Sequence, residues 1–326
     1  MIITRTPLRI TLGGGGTDLP SYYEMYGGFV ISASINQYIY IALNNTFSDG
    51  YHLKYSELEQ VLSIDEIKHP IVREVFSQHC VPPAIEMVSL ADIPAGTGLG
   101  SSGSFTVGLL RSVYALKREY TTDERLASEA CDIEIGKLGR SVGKQDQYIA
   151  AFGGIMCFNF KENGQVVAEP LSISTGTYHE LERGLLMFFT GYSRNANLVL
   201  DEQRRASEAG DNEMVQNLHF VKELGLKSKY ALEQGDIATF GELMNTHWEH
   251  KKNRSQVMSN SRIDHLYNVA MENGAVGGKL IGAGAGGFLL FYAPDPRRLR
   301  AALAAEGAPE VRFSFDQDGS TVAVRD

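Results

Sequence analysis

Apolar and polar positions along the chain fall into short strand-like runs and longer helical stretches, separated by clusters of glycine. Residues 1 to 12 alternate and turn at Pro7, and Gly28 to Asn44 is rich in Ile, Val and Tyr, the composition of strands. Asn44 to Gly50 reads as a loop, Ser63 to His79 as a helix and Ile85 to Leu90 as a strand. In Ser104 to Lys117, Phe105, Leu109, Leu110, Val113 and Leu116 recur at the spacing of one helix face. Thr121 with Glu124 three residues on predicts a capping box, for a helix running through Leu126, Ala130, Ile133 and Lys137. Gly136 to Gly143 reads as a helix end and loop, Asp146 just after it as a loop residue, and a strand is expected through Phe160.

Near residue 170 the pattern changes. Leu185 to Thr190 predicts a strong strand, followed by three amphipathic helices at roughly 197–209, 211–233 and 236–252. A helix near 262–273, a strand from Phe288 to Tyr292, a helix over 295–305 and two short strands close the chain. No internal repeat or low-complexity linker is visible, and 326 residues suit two domains better than one core.

Composition narrows the class. The net charge of −9, with no basic run, argues against nucleic acid as a partner. No apolar run approaches the roughly 18 residues of a membrane span, and the start of the chain lacks a signal-peptide pattern. Three widely spaced cysteines, Cys80, Cys131 and Cys157, cannot form a C-x-x-C metal cluster and fit a reducing compartment. The expectation is a cytoplasmic protein. His247 and His250, with Glu249 between them, do not have the H-E-x-x-H zinc spacing and are expected on a solvated helix face.

The candidate chemistry lies in the glycines. Pro94-Ala-Gly-Thr-Gly-Leu-Gly-Ser-Ser-Gly103 runs from a predicted strand into a predicted helix. A glycine loop opening a helix presents free backbone N–H groups and the positive end of the helix dipole, which is an anion site. Gly13-Gly-Gly-Gly-Thr-Asp18 reads either as a flexible turn or as a tight loop against a ligand, offering the Thr17 hydroxyl and the Asp18 carboxylate to sugar hydroxyls. A Walker-type lysine motif is absent. Gly98, Gly100, Gly103 and Gly282, Gly284, Gly287 both match the dinucleotide fingerprint. The first is not followed by a second strand ending in an acid, and the second runs into a strand, so a dehydrogenase is disfavoured.

Taken together these stretches resemble the GHMP kinases, the family of galactokinase, homoserine kinase, mevalonate kinase and phosphomevalonate kinase. Pro94–Gly103 is similar to the family's phosphate loop, Thr4 to Asp18 lies where its N-terminal substrate motif lies, and Gly278–Gly287 resembles its C-terminal glycine motif. Where the family often has lysine in its first motif, this chain has Pro7-Leu8-Arg9. Arg5–Asp18, Gly143–Tyr148 and Phe152–Gly154 further resemble the sugar-kinase branch that contains D-glycero-D-manno-heptose 7-phosphate kinase. Fucokinase-like and octose-phosphate kinases are similar at the same motifs.

The resemblance implies an α+β, two-domain GHMP kinase fold with the site in the cleft between domains. The N-terminal domain, residues 1–180, would resemble a ribosomal protein S5 domain 2-like fold, and the C-terminal domain, 181–326, a ferredoxin-like one. It implies ATP and Mg²⁺ as cofactors and a sugar or sugar phosphate as the small-molecule partner, with the oligomeric state open. Pro94, Gly96, Thr97, Gly98, Leu99, Gly100, Ser101, Ser102 and Gly103 would hold the nucleotide. Ser102 and Glu134 would hold Mg²⁺. Asp146 would be the catalytic aspartate, with Arg9 and Lys144 neutralising charge on the transferred group. Gly15, Gly16, Thr17, Asp18, Gln145, Gly284 and Ala285 would meet the acceptor. A phosphate on that acceptor needs a cation, for which Arg194, Lys251 and Lys252 are candidates. A non-catalytic sugar sensor on the same fold is the competing reading, and the presence of Ser102, Glu134 and Asp146 together argues against it.

Overall fold

The structure, a computed structural model, describes residues 1–191, 196–252, 254, 258–282, 284 and 286–325, and of 196–199 the backbone alone. It begins with β1 (Ile2–Gly13), α1 (Pro20–Tyr26) and β2 (Gly28–Asn45). Then come the hairpin β3 (Tyr51–Lys54) and β4 (Leu58–Val61), α2 (Pro70–Gln78) and β5 (Ile85–Ala91). After the phosphate loop follow α3 (Ser101–Lys117), α4 (Asp123–Cys131) and α5 (Gln145–Phe152), then β6 (Ile155–Phe160) and β7 (Val166–Pro170). The second half holds α6 (Thr175–Gly184), β8 (Leu185–Phe189), α7 (Ala196–Glu208), α8 (Asn212–Glu233) and α9 (Ile237–Lys252). It ends with α10 (Ser261–Glu272), β9 (Gly277–Leu280), β10 (Phe288–Tyr292), α11 (Pro296–Ala305), β11 (Glu310–Val311) and β12 (Thr321–Arg325).

Two sheets result. β2 is long enough, at 18 residues, to pair along one flank with two different strands. Gly28–Ala33 pairs with β6, Ile39–Asn45 pairs with β5, and β1 runs antiparallel along the other flank. The eight-stranded sheet has the path β12-β1-β2-β5-β3-β4, with β6 and β7 branching from β2. The second sheet is antiparallel, in the order β11-β8-β10-β9. Helices α3, α5 and α8 pack on β1 and β2, and their apolar faces meet Leu8, Ile10, Ile31 and Ile41, all with essentially no exposure. This two-domain mixture of helices and sheets is the fold expected, but the division at residue 180 does not separate the sheets. β12 returns from the C-terminal end to pair with β1, and Phe315 bridges Ile35.

Other departures have local causes. β1 does not turn at Pro7; the pairing shifts register between Pro7 and Leu8, where β2 carries Asn36 and Gln37 as extra residues opposite a residue with no N–H to donate. The expected helix over 63–79 is split: Ser63 caps a short 3-10 turn at Ile64–Glu66, and Pro70 opens α2. The cap of α4 is Thr122, not Thr121, accepting from Arg125 N at 3.2 Å. Asp146 lies in the first turn of α5, not in a loop. Among the described residues no helix is long and apolar enough to cross a membrane.

Candidate active site

A cavity of about 700 Å³ lies between the two sheets, bounded by the loops after β1 and β5, the N-termini of α3 and α5, and by α9 and β9. The loop before α3 ends in Gly100 at φ +77°, and no side chain caps the helix. By contrast α2, α4, α6, α8, α10 and α11 are each capped by a side chain. The α3 amides are therefore left for an anion in the cavity. The C-terminal glycine motif braces the loop from behind. A Cβ on Gly98 would stand 2.7 Å from Ile281 O, and one on Gly282 would overlap Gly98 itself, so both positions need glycine for backbone to meet backbone. Within the loop, Gly96, Gly98, Gly100, Ser101 and Ser102 line the cavity, whereas Leu99 is buried and the Thr97 hydroxyl donates to Pro94 O at 2.9 Å.

Arg9 joins the loop to Asp146. It is buried, and its Nε donates to Asp146 Oδ1 at 2.8 Å while Nη1 donates to Gly98 O at 2.5 Å. Its backbone N–H donates to Leu99 O at 3.0 Å. Asp146 is thus held by one carboxylate oxygen and keeps 23% of its side chain open.

Glu134 sits on a π-helical turn, Asp132–Lys137, that follows α4. Such turns re-aim side chains and recur at functional sites. Its carboxylate has no exposure, accepts from Gln147 Nε2 at 2.9 Å, and receives the Ser102 hydroxyl. Burial raises its carboxyl above the ordinary value, opposed by Ser102, Gln147 and Arg140. Arg140 Nη1 donates to Ser102 Oγ at 2.9 Å and to Glu134 Oε2 at 3.2 Å, so a cation already rests on this oxygen pair. One hydroxyl and one carboxylate facing a phosphate loop fit Mg²⁺, which takes few protein oxygens and completes its shell with water and phosphate.

On the acceptor side, Asp18 is buried, accepting from Gly16 N at 3.1 Å and Gln145 N at 3.2 Å. Burial, and next the charge of Asp146, raise its carboxyl above the usual value. Gly15, Gly16, Asp18 and Gln145 line the cavity as expected. Thr17 does not. Its hydroxyl is buried 2.8 Å from Gly14 O and 2.9 Å from Phe29 O, and it accepts from Phe29 N, so it pins the loop. Lys144 also points elsewhere: Nζ donates to Gly164 O at 2.6 Å and lies over the Tyr23 ring. Gly284 backs onto Met258. Arg194 and Ala285 lie outside the described residues. Lys252 pairs with Glu249 on the surface of α9.

At the far end, the cavity narrows between apolar walls. His69 packs edge-on against Tyr55 and beside Phe105, with Ile39, Ile71 and Leu90 around them. At the acceptor end, sequence reasoning found Lys251 but missed His247, Arg254 and Lys279. All four are buried cavity residues, and His247 is not on a solvated face. Lys279 carried a readable signal, a lysine beside two glycines in a strand that is otherwise apolar.

Residues 67–154 match the GHMP kinases N terminal domain, and 228–309 the GHMP kinases C terminal domain. The chain is 31% identical over 335 residues to the D-glycero-alpha-D-manno-heptose 7-phosphate kinase of Campylobacter jejuni, covering 98% of this chain and 97% of that one. It is 29% identical to a galactokinase of Roseiflexus, over 88% of this chain and 82% of the other. The crystal structure of a D-glycero-D-manno-heptose 1-phosphate kinase from Bacteroides thetaiotaomicron superimposes with a TM-score of 0.81 at 26% identity, covering both chains fully. The chain belongs to the GHMP kinases, as one of their sugar kinases.

Proposed function

We propose that the protein uses ATP and Mg²⁺ to phosphorylate the anomeric hydroxyl of D-glycero-D-manno-heptose 7-phosphate, giving the 1,7-bisphosphate. The observation that carries this reading is the Arg9–Asp146 pair, set in one cavity between the phosphate loop and the Asp18 loop. The substrate itself is suggested by the Campylobacter relative, which matches along nearly the whole chain.

The apolar slot at Tyr55, His69 and Phe105 takes the adenine. The amides of the 96–102 loop and the start of α3 take the phosphates. Ser102 and Glu134 hold Mg²⁺, which when bound neutralises charge on the phosphate oxygens. Asp146 accepts the proton of the anomeric hydroxyl as that oxygen bonds to the γ-phosphorus and the bond to ADP breaks. An anomeric hydroxyl is more acidic than an ordinary alcohol, so a carboxylate suffices. Arg9 keeps that carboxylate in place and supplies positive charge beside the transferred group. Asp18 and the Gly15–Gly16 backbone receive the sugar hydroxyls.

The test is product identification by mass spectrometry from ATP, Mg²⁺ and a panel of heptose 7-phosphate, heptose, fucose and galactose. A heptose bisphosphate labile at C1 is expected. Higher kcat/KM with fucose or galactose would assign a different sugar, and no ADP from any acceptor would favour the sensor reading.

A further inference from the structure

One end of the cavity holds buried basic side chains that no carboxylate among the described residues hydrogen-bonds. Lys251 and Arg254 are each 7% exposed and Lys279 2%, and all three line the cavity. Their partners are neutral. Lys279 Nζ donates to Leu12 O at 2.8 Å and lies 3.5 Å from His247 Nδ1. Lys251 Nζ donates to Leu280 O at 3.0 Å and Gly282 O at 2.5 Å. Arg254 donates from Nε to Asn217 Oδ1 at 2.8 Å and from Nη1 to Gly15 O at 3.2 Å. Its Nη2 is buried and has no hydrogen-bond partner among the described residues.

Buried charges in folded proteins are normally paired, because each unpaired one forfeits its hydration. Among the described carboxylates, Asp18 offsets Arg254, and Asp146 is taken by Arg9. With all three protonated, three cations against one carboxylate carry an excess of two positive charges, which a phosphate monoester dianion would balance. The nucleotide's phosphates have their own cradle at the 96–102 loop. Lys279 and Arg254 are instead tied to Leu12 and Gly15, on the strand and loop that lead to Asp18, so the missing anion arrives with the acceptor.

We propose that Arg254, Lys279 and Lys251, with His247 beside them, bind a phosphate carried by the acceptor and so select sugar phosphates over free sugars. The proposal rests on the sugar-kinase reading of the cleft and names the groups that would hold the second phosphate.

Two measurements test it. In the first, enzyme saturated with Mg²⁺ and a non-hydrolysable ATP analogue is titrated with inorganic phosphate by calorimetry. One site is expected, weakened about 30-fold or more in Lys279→Met and in Arg254→Met, the size of loss when one partner of a buried charge pair is truncated. Lys279→Arg, which keeps the charge, should retain more of the affinity, and thermal melts confirm that each variant is folded. In the second, kcat/KM is compared for heptose 7-phosphate and heptose. The parent's preference for the phosphorylated sugar should collapse by the same factor in both methionine variants, through KM. No phosphate binding with the nucleotide site filled, or equal losses on both acceptors, would overturn the proposal. Phosphate binding at the cluster without any sugar turnover would sink the kinase reading and leave this site standing.

Discussion

Binding of an acceptor phosphate should draw protons into the protein, and the size of that uptake can be worked from the cluster. Burial, and after it the charges of Arg254 and Arg9, pull the Lys279 ammonium down to about 7. The same causes, with Arg254 and Lys279 as the nearby charges, press Lys251 well below its ordinary value. Arg254 is lowered only to about 10 and stays charged, and His247, buried beside three cations, is held neutral. At pH 8 a group that titrates near 7 carries roughly 0.1 proton. A phosphate dianion placed beside it favours the charged form, so Lys279 should gain about 0.9 proton on binding, with Lys251 adding up to about one more. The phosphate contributes almost nothing at that pH, because its second proton leaves near pH 6. The expected uptake is therefore about one to two protons per acceptor at pH 8. At pH 6 the Lys279 share shrinks to about 0.1, because that lysine is already charged in the empty cleft. Calorimetric titrations in phosphate-free buffers of different ionisation enthalpy read this number directly as the slope of observed heat against buffer heat. A slope of zero, or proton release, at pH 8 would refute the reasoning.

The other predictions concern the reacting centre and its surroundings. Asp146→Asn should lower turnover by about 10²–10⁴-fold, the usual contribution of a general base, while binding of an ATP analogue by fluorescence titration changes little. Lys144→Met should keep turnover within about threefold, because its ammonium serves Gly164 O and the Tyr23 ring rather than the cavity; a loss as large as that of Asp146→Asn would restore it to the mechanism. Glu134→Gln should raise the Mg²⁺ concentration for half-maximal activity by about tenfold or more, since a neutral amide replaces the one carboxylate at Ser102. Ligand-free protein should gain stability as pH rises from about 7 toward the ordinary lysine range, because there the unfolded Lys279 holds a proton that the folded one has lost. Lys279→Met should flatten that rise in thermal melts.

What the sequence made legible was mainly what the backbone does. The spacing of glycines at 96, 98, 100 and 103 dictates a loop that presents amides, and the structure puts that loop on the cavity. The long helices of the second half were legible because their apolar faces repeat over several turns, as in α8 and α9. Side-chain direction was not legible. Thr17 and Asp18 are neighbours in a loop, yet one hydroxyl turns inward to Phe29 O and one carboxylate turns to Gln145 N. Those partners lie 12 and 127 residues away, beyond any local pattern. Lys144 fails for the same reason, since the carbonyl that captures it belongs to the turn between β6 and β7. The return of β12 to β1 is likewise a pairing across the whole chain.

β1 explains why these separated pieces form one site. Arg9, at the reacting centre, and Leu12, which receives Lys279, are three residues apart on the same strand. A strand rises about 3.3 Å per residue, so the two anchor points stand roughly 10 Å apart. Arg254 reaches Gly15 O in the turn that follows the strand. Arg9, which holds Asp146, then Leu12 and Gly15, which receive Lys279 and Arg254, and then Asp18 thus follow one another along one segment, whose strand part is paired with β2. On the reading proposed above, a phosphate held by the cluster sits apart from the hydroxyl that meets Asp146, so an acceptor with its phosphate on the carbon next to that hydroxyl should show a lower kcat/KM than a sugar 7-phosphate.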